Sequence, residues 1–510
     1  VYVTSALGGV LTVPAVYLAA QELFRPLVGT SPHSNPPPSI EAAGRGKEKN
    51  GPLARVHHSS YLPCTIRGGL RGGLLTRWGG LLAALVLALS RWHLSWSRLG
   101  MRVILVPFFA ATMVWLLWYG LRRGRWWALA ACGLSLGLSL HTYPAARALP
   151  LLVLLGYGYV AWARRSFGWR DVGRLAVIAG VALVVFAPLG LYFLQHPGSA
   201  GQRIGQTAAV EGGAELSEAL RVLARQAVEA LRVVFVSGDL DPRVNVPGWP
   251  ALDPFLGAAL VIGLGVALFR FREPAYALLL TWLAGLSAPA ILAQYGWVTK
   301  RALGAMPAVA MLAAVGCLGV WQWAFRCLAP KAPVPGAKRW GLATWAVALL
   351  IGGGLVYSGV QAYRAYFQLW AADPSLFTHF EVGPAEIGRY FGTLPPGERV
   401  YLSPVPGDHP SIALYSGRRP DVQGYQGRFC FVAVDRAPQD ATYAIAHHED
   451  RESLARLVAL YPQSQAVGRG ALHYGQPFFS TVRVPVGTAP VIAPQYASEV
   501  IWGAPEAAIQ

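Results

Sequence analysis

Apolar windows recur along the first two-thirds of this chain, at residues 2–24, 74–94, 103–121, 126–141, 148–163, 173–194, 254–269, 275–293, 303–325 and 341–363. At a rise of about 1.5 Å per residue, roughly twenty such residues cross a hydrocarbon core about 30 Å thick. The pattern therefore predicts about ten membrane-crossing helices. The short pair around 141–147 is compatible with a re-entrant hairpin as well. Between windows, residues 25–77 are rich in Pro, Gly, Ser and basic side chains, with nothing to bury, and predict a disordered basic insertion.

After residue 370 the period changes. Residues 398–403 and 442–446 alternate like strands, 384–391 and 450–460 like amphipathic helices, and Pro-Gly turns punctuate them. Three regions follow: a membrane domain at 1–369 with a long loop at 195–252, a small α/β domain at 370–490, and a loose tail at 491–510. The chain opens on Val1 and enters an apolar run with no charged leader, which reads as a truncated start and not as a signal peptide.

Composition agrees with a bilayer. Hydrophobic residues make up 54% of 510, charged residues 13%, and mean hydropathy is +0.39. The net charge of +18 does not point to nucleic acid, because the basic residues fall between apolar runs, where they set orientation instead. One set of loops holds Arg122, Arg123, Arg125, Arg164, Arg165, Arg170, Arg270, Arg272, Arg326, Lys331, Lys338, Arg339 and the 25–77 insertion. The alternate set holds only Arg91, Arg98, Arg102, Arg147, Lys300 and Arg301. Positive charge is retained inside, so the second set, the 195–252 loop and the C-terminal domain are expected on the extracytoplasmic face of a multi-pass plasma-membrane protein. Cys64, Cys132, Cys317, Cys327 and Cys430 form no C-x-x-C pair, and no zinc finger is expected.

Span centres hold almost no ionisable residues, which disfavours an ion-coupled transporter. Unusual polar residues collect at the outer ends instead. Arg98, Arg102, Arg147, Arg203, Lys300 and Arg301 are candidates to clamp a lipid phosphate through charge-assisted hydrogen bonds, and the bland alternative for any one of them is a snorkelling side chain. His141, Tyr143, Asp239, Arg243, Asn245 and Asp253 are the other polar candidates on that face. Asp253 before Pro254 is equally a helix N-cap. His447-His448-Glu449-Asp450 reads as a solvated turn and not a metal cluster. No Walker loop, dinucleotide fingerprint or nucleophile elbow is present.

The runs SRLGMRVILVPFF, GLSLGLSLHTYPAARALPLL, FVSGDLDPRVNVPGWPALDPFLGAALVIGLG and KRALGAMPAVAML, in that order, resemble bacterial members of the dolichyl-phosphate-mannose protein mannosyltransferase family. That family is similar to the aminoarabinose transferase of lipid A and has the C-type glycosyltransferase fold. Over residues 2–363 the resemblance implies a polyprenyl-phosphate sugar donor and inverting transfer to an unidentified acceptor on the outer face. It also implies a catalytic carboxylate on the first external loop, between the first two spans. This chain reads as starting at the second span, so no residue takes the base role, and Val244 stands where a His is expected before Asn245. A divalent metal is left open. The competing expectations are a lipid or polysaccharide flippase, which needs a polar path across the membrane, and a non-catalytic scaffold.

Overall fold

The computed structural model describes residues 2–25, 78–199, 208–210, 214–294, 298–327, 342–447, 449–450, 452–473 and 475–492. The 25–77 insertion beyond Arg25, the candidate Arg203, His448 and nearly all of the 491–510 tail lie outside the described residues. The chain forms two compact units, Val1–Ala371 and Ala372–Gln510.

The first unit is helical. Its elements are α1 (Tyr2–Leu23), α2 (Gly80–Leu89), α3 (Arg91–Arg98), α4 (Leu105–Arg123), α5 (Trp126–Leu140), α6 (Leu149–Arg164), α7 (Trp169–Gln195), α8 (Leu216–Phe235), α9 (Pro254–Phe269), α10 (Pro274–Ile291), α11 (Val298–Arg301), α12 (Met306–Cys327) and α13 (Leu342–Tyr363), which runs on as a π-helical turn, Arg364–Trp370. Among the described residues, 7 helices are long and apolar enough to cross a membrane. Three shorter apolar helices, α2, α5 and α9, account for the remaining windows. Their 10, 15 and 16 residues rise only about 15 to 24 Å.

Two expectations need correction. The window read as one span at 74–94 is broken at Ser90, whose extended backbone (φ −72°, ψ 121°) ends α2 and starts α3. The segment RWHLSWSR carries Arg91, His93, Ser95, Ser97 and Arg98, too polar to continue a lipid-facing helix, so it turns aside and buries its polar side against the unit. The long 195–252 loop contains a full helix, α8, supported by Glu218–Arg221 and Glu229–Arg232 pairs at i,i+3.

Helix ends expected on one side lie together. Glu22 at the end of α1 receives Arg122 from the end of α4, with Nε 2.8 Å from Oε2, and Tyr159 Oη donates to Phe271 O at 2.6 Å. At the opposite end Ser5 Oγ donates to Met101 O at 3.0 Å, Trp92 Nε1 to Thr299 O at 2.9 Å and Trp370 Nε1 to Pro242 O at 2.7 Å. Inside, α9 and α12 cross at backbone contact. A Cβ on Gly263 would lie 1.8 Å from Leu312 O, and one on Gly316 2.0 Å from Ala259 O. Small residues at such a crossing allow close packing where water supplies no driving force.

The second unit begins with α14 (Ser375–His379) and α15 (Val382–Thr393). It continues through β1 (Arg399–Ser403), α16 (Pro410–Tyr415), β2 (Val422–Gly424), β3 (Ala441–Ala446), α17 (Ser453–Leu460), β4 (Ala466–His473) and β5 (Gln476–Val484). The sheet order is β2-β1-β3-β5-β4, with β2, β1 and β3 parallel and β5 antiparallel to its neighbours. Alternation along β1 sends Val400 and Leu402 to a core with Ile387, Phe391 and Ile412, and Tyr401 to one with Tyr443, Leu457 and Tyr461. Asp450 corrects the reading of 447–450 as a solvated turn. It is fully buried and accepts from Ser403 Oγ and, at 3.0 Å, Ser453 N. Burial opposes its ionisation, but these hydrogen bonds outweigh burial and hold the carboxyl below the usual range.

Candidate functional site

The end of the first unit opposite Arg122 and Arg164 gathers most of the polar candidates, and it is built around one loop. Residues 236–253 leave α8, fold back and enter α9. Gly238 lets the loop close on itself, since a Cβ there would lie 1.7 Å from Trp249 O. Asn245 Nδ2 donates to Trp249 O at 2.6 Å, and Ala251 N and Leu252 N donate to Val233 O and Val234 O at 3.0 and 3.1 Å. Asn245 is thus a buried strut of the loop.

The loop's carboxylates serve backbone. Asp239 is buried and accepts from Val298 N and Thr299 N, both at 3.2 Å, and from Thr299 Oγ1 at 2.6 Å. It anchors α11, the turn that carries Lys300 and Arg301. Asp253 accepts from Phe255 N at 3.0 Å, Leu256 N at 3.1 Å and Ser358 Oγ at 3.0 Å, which makes it the N-cap of α9 and a tie to α13. Asp241 pairs with Arg243. Each of these acids has hydrogen-bonding work that a general base would have to abandon.

The cations of this end meet rings and carbonyls. Lys300 Nζ lies 5.9 Å from the Tyr143 ring centre. Arg301 is half-buried and donates through Nη1 to Gln294 O. Burial lowers its pKa, against attraction by Tyr143 and Asp239. Tyr143, Asp239, Lys300 and Arg301 thus converge from three separate stretches of sequence.

The remaining candidates sit elsewhere on the same end. Arg98 lies 5.4 and 5.3 Å from the Tyr366 and Phe367 rings, and Arg147 lies 5.7 Å from Phe193. His141 Nε2 is 3.0 Å from Val185 O, beside Phe186. Arg102 is exposed. One residue outside the candidate set is central. Arg91 is buried, donates to Pro250 O, and lies 5.1 Å from the Trp249 ring. Its Nε, and Nε2 of the buried His93, have no hydrogen-bond partner among the described residues. The sequence signal was the polar run at 90–93 inside an otherwise apolar window.

The second unit has a concave site of its own. Chain connections on opposite faces of the sheet leave a crevice outside the carboxyl ends of β1 and β3, where ligands of open α/β sheets commonly bind. A cavity of about 260 Å³ there is lined by Phe377, Glu381, Pro404, His409, Glu449 and Phe478. Glu381 holds a left-handed backbone (φ 53°), and its side chain accepts from Ser411 Oγ at 2.5 Å. Among the described residues no group of three or more His, Cys, Asp or Glu is placed to hold a metal ion.

No family model matches the chain, and no curated protein sequence matches it. Among solved structures, it is similar to ArnT of Cupriavidus metallidurans, both in the apo state and bound to undecaprenyl phosphate. That likeness has 15% identity over 94% of this chain and 83% of ArnT, with a TM-score of 0.44. It is also similar to the oligosaccharyltransferase of Archaeoglobus fulgidus tethered to an acceptor peptide, at 14% identity over 83% of this chain and a TM-score of 0.42. The chain spans 52% of the length of that archaeal protein.

Proposed function

We propose that this chain is a membrane glycosyltransferase that moves a sugar from a polyprenyl-phosphate donor to an acceptor on the extracytoplasmic face, with the Arg122/Arg164 end in the cytoplasm. The observation that carries the reading is the convergence of Tyr143, Lys300 and Arg301 on a turn fixed by Asp239. The ordered resemblance of the four sequence runs supports it.

In this reading Lys300 and Arg301 hold the donor phosphate at head-group depth. An acceptor hydroxyl attacks the anomeric carbon, its oxygen–carbon bond forms as the carbon–phosphate-oxygen bond breaks, and negative charge grows on the departing phosphate. Two cations already in place favour that charge more in the transition state than in the ground state. The acceptor proton goes to a base. Asp239, Asp241 and Asp253 are committed to capping or pairing, so the base is assigned to none of them. Arg98 and Arg147, each against a ring at the same end, remain further cations for the donor phosphate. A flippase needs polar groups through the membrane, yet residues 105–121, 149–162, 175–195, 274–293, 303–325 and 342–363 contain no Asp, Glu, Lys or Arg.

The test is transfer from labelled polyprenyl-phosphate sugars by the full-length gene product in nanodiscs. Label moving to a lipid, glycan or protein acceptor, and lost in Arg301→Ala, supports the reading. Label that never leaves the donor with any acceptor class contradicts it.

A further inference from the structure

At the opposite end, where α6 finishes, a groove of about 640 Å³ lies between the last turns of α6 and the turn before α10. Its floor is small: Gly158 and Ala161 line it, and a Cβ added at Gly158 would meet nothing within 4 Å. Its walls are the exposed rings of Trp162 and Phe167, and its mouth carries the exposed guanidinium groups of Arg165 and Arg272. No acidic residue lines it.

These two arginines lack carboxylate partners among the described residues, although acids are close. Asp171 is taken by Tyr157 Oη at 2.7 Å, Gly168 N at 3.1 Å and Arg174 at 3.2 Å, and Glu273 faces Arg270 at 3.7 Å. Arg165 ends α6 in the left-handed region (φ 51°), a position that glycine or asparagine fills without strain. Strain of this kind is retained where the side chain has a task.

We infer that this groove binds an anionic phospholipid of the adjoining leaflet, its phosphodiester held by Arg165 and Arg272. Depth favours a lipid over a soluble phosphate, because the candidate spans 144–164 and 274–291 end or begin at the groove. Below it, Leu151, Leu154 and Leu155 are exposed on the same helix, an apolar track for an acyl chain. Guanidinium pairs bind phosphate bidentately, and aromatic rings suit the interface. The inference is independent of the transfer reading.

The full chain is placed in nanodiscs of phosphatidylcholine alone or with phosphatidylglycerol, and read by thermal unfolding and by native mass spectrometry. Phosphatidylglycerol is expected to raise the wild-type midpoint and to stay bound as one copy. Arg165→Asn, which keeps the left-handed turn, and Arg272→Gln should each weaken its retention by about tenfold, with the midpoint in pure phosphatidylcholine unchanged. Glycerol 1-phosphate added to phosphatidylcholine discs should produce no shift; an equal shift would assign the groove to soluble phosphates and overturn the lipid claim. Retention and midpoint gain that survive the double variant would overturn it as well.

Discussion

Arginines at the two ends of the helical unit find different company. At the cytoplasm-assigned end four of them face carboxylates, Arg25 and Arg122 sharing the buried Glu22, Arg174 paired with Asp171 and Arg270 facing Glu273, while Arg165 and Arg272 at the groove do not, among the described residues. At the other end Arg243 pairs with Asp241, but Arg91, Arg98, Arg147 and Lys300 lie over aromatic rings and Arg301 donates to a backbone carbonyl. Meanwhile Asp239 and Asp253 at that end are spent on backbone N–H groups. The difference bears on what each end can do chemically. A buried ion pair fixes helix ends and is costly to break. A cation over a ring keeps its full charge and gives up little when an anionic ligand arrives.

The comparison breaks most sharply at Glu22. Glu22→Ala would leave Arg122 beside the bundle without its carboxylate, at a cost of roughly 3 to 5 kcal/mol in stability. Thermal unfolding in detergent should show the loss, while transfer per folded molecule stays near the wild-type rate. Next in size is the other end. Arg301→Ala should lower kcat by roughly 100-fold, with an unfolding midpoint close to wild type, and Lys300→Ala should behave similarly. A stability loss as large as that of Glu22→Ala would erase the contrast between the two ends.

Asp239 sharpens it further. As an anchor of the Lys300–Arg301 turn, Asp239→Asn keeps an acceptor oxygen, and activity should fall by about tenfold together with a destabilisation of about 1 kcal/mol. A general base replaced this way would lose activity far more than stability. The smallest effect is at Asp253. Asp253→Ala removes an N-cap and should cost about 1 kcal/mol of stability, with donor affinity unchanged.

The grouping of helix ends at either side of the unit was legible in the sequence, because alternate loops are contiguous stretches whose basic content can be compared directly. Asp253 as a cap could be read because Pro254 follows it directly. Asp239 could not be read as an anchor, because Thr299 is 60 residues away and only the fold brings them together. The same holds for Arg98, whose ring partners come from the continuation of the last helix. The helix at Leu216–Phe235 has i,i+3 Glu–Arg pairs that the sequence displays, yet a hydrophilic stretch between apolar windows is equally the pattern of a loop. The break at Ser90 was also visible, since a window containing Arg91 and His93 is a poor candidate for continuous contact with lipid.

The central claim is that cations resting on rings and carbonyls at the extracytoplasmic end are held ready for a lipid phosphate. Binding of undecaprenyl phosphate, without any sugar, to the full chain in nanodiscs tests it most directly. The account predicts that the Lys300→Ala, Arg301→Ala double variant loses about 100-fold in affinity, whereas Arg174→Ala at the other end changes nothing. Equal affinity of the wild type and the double variant would contradict it.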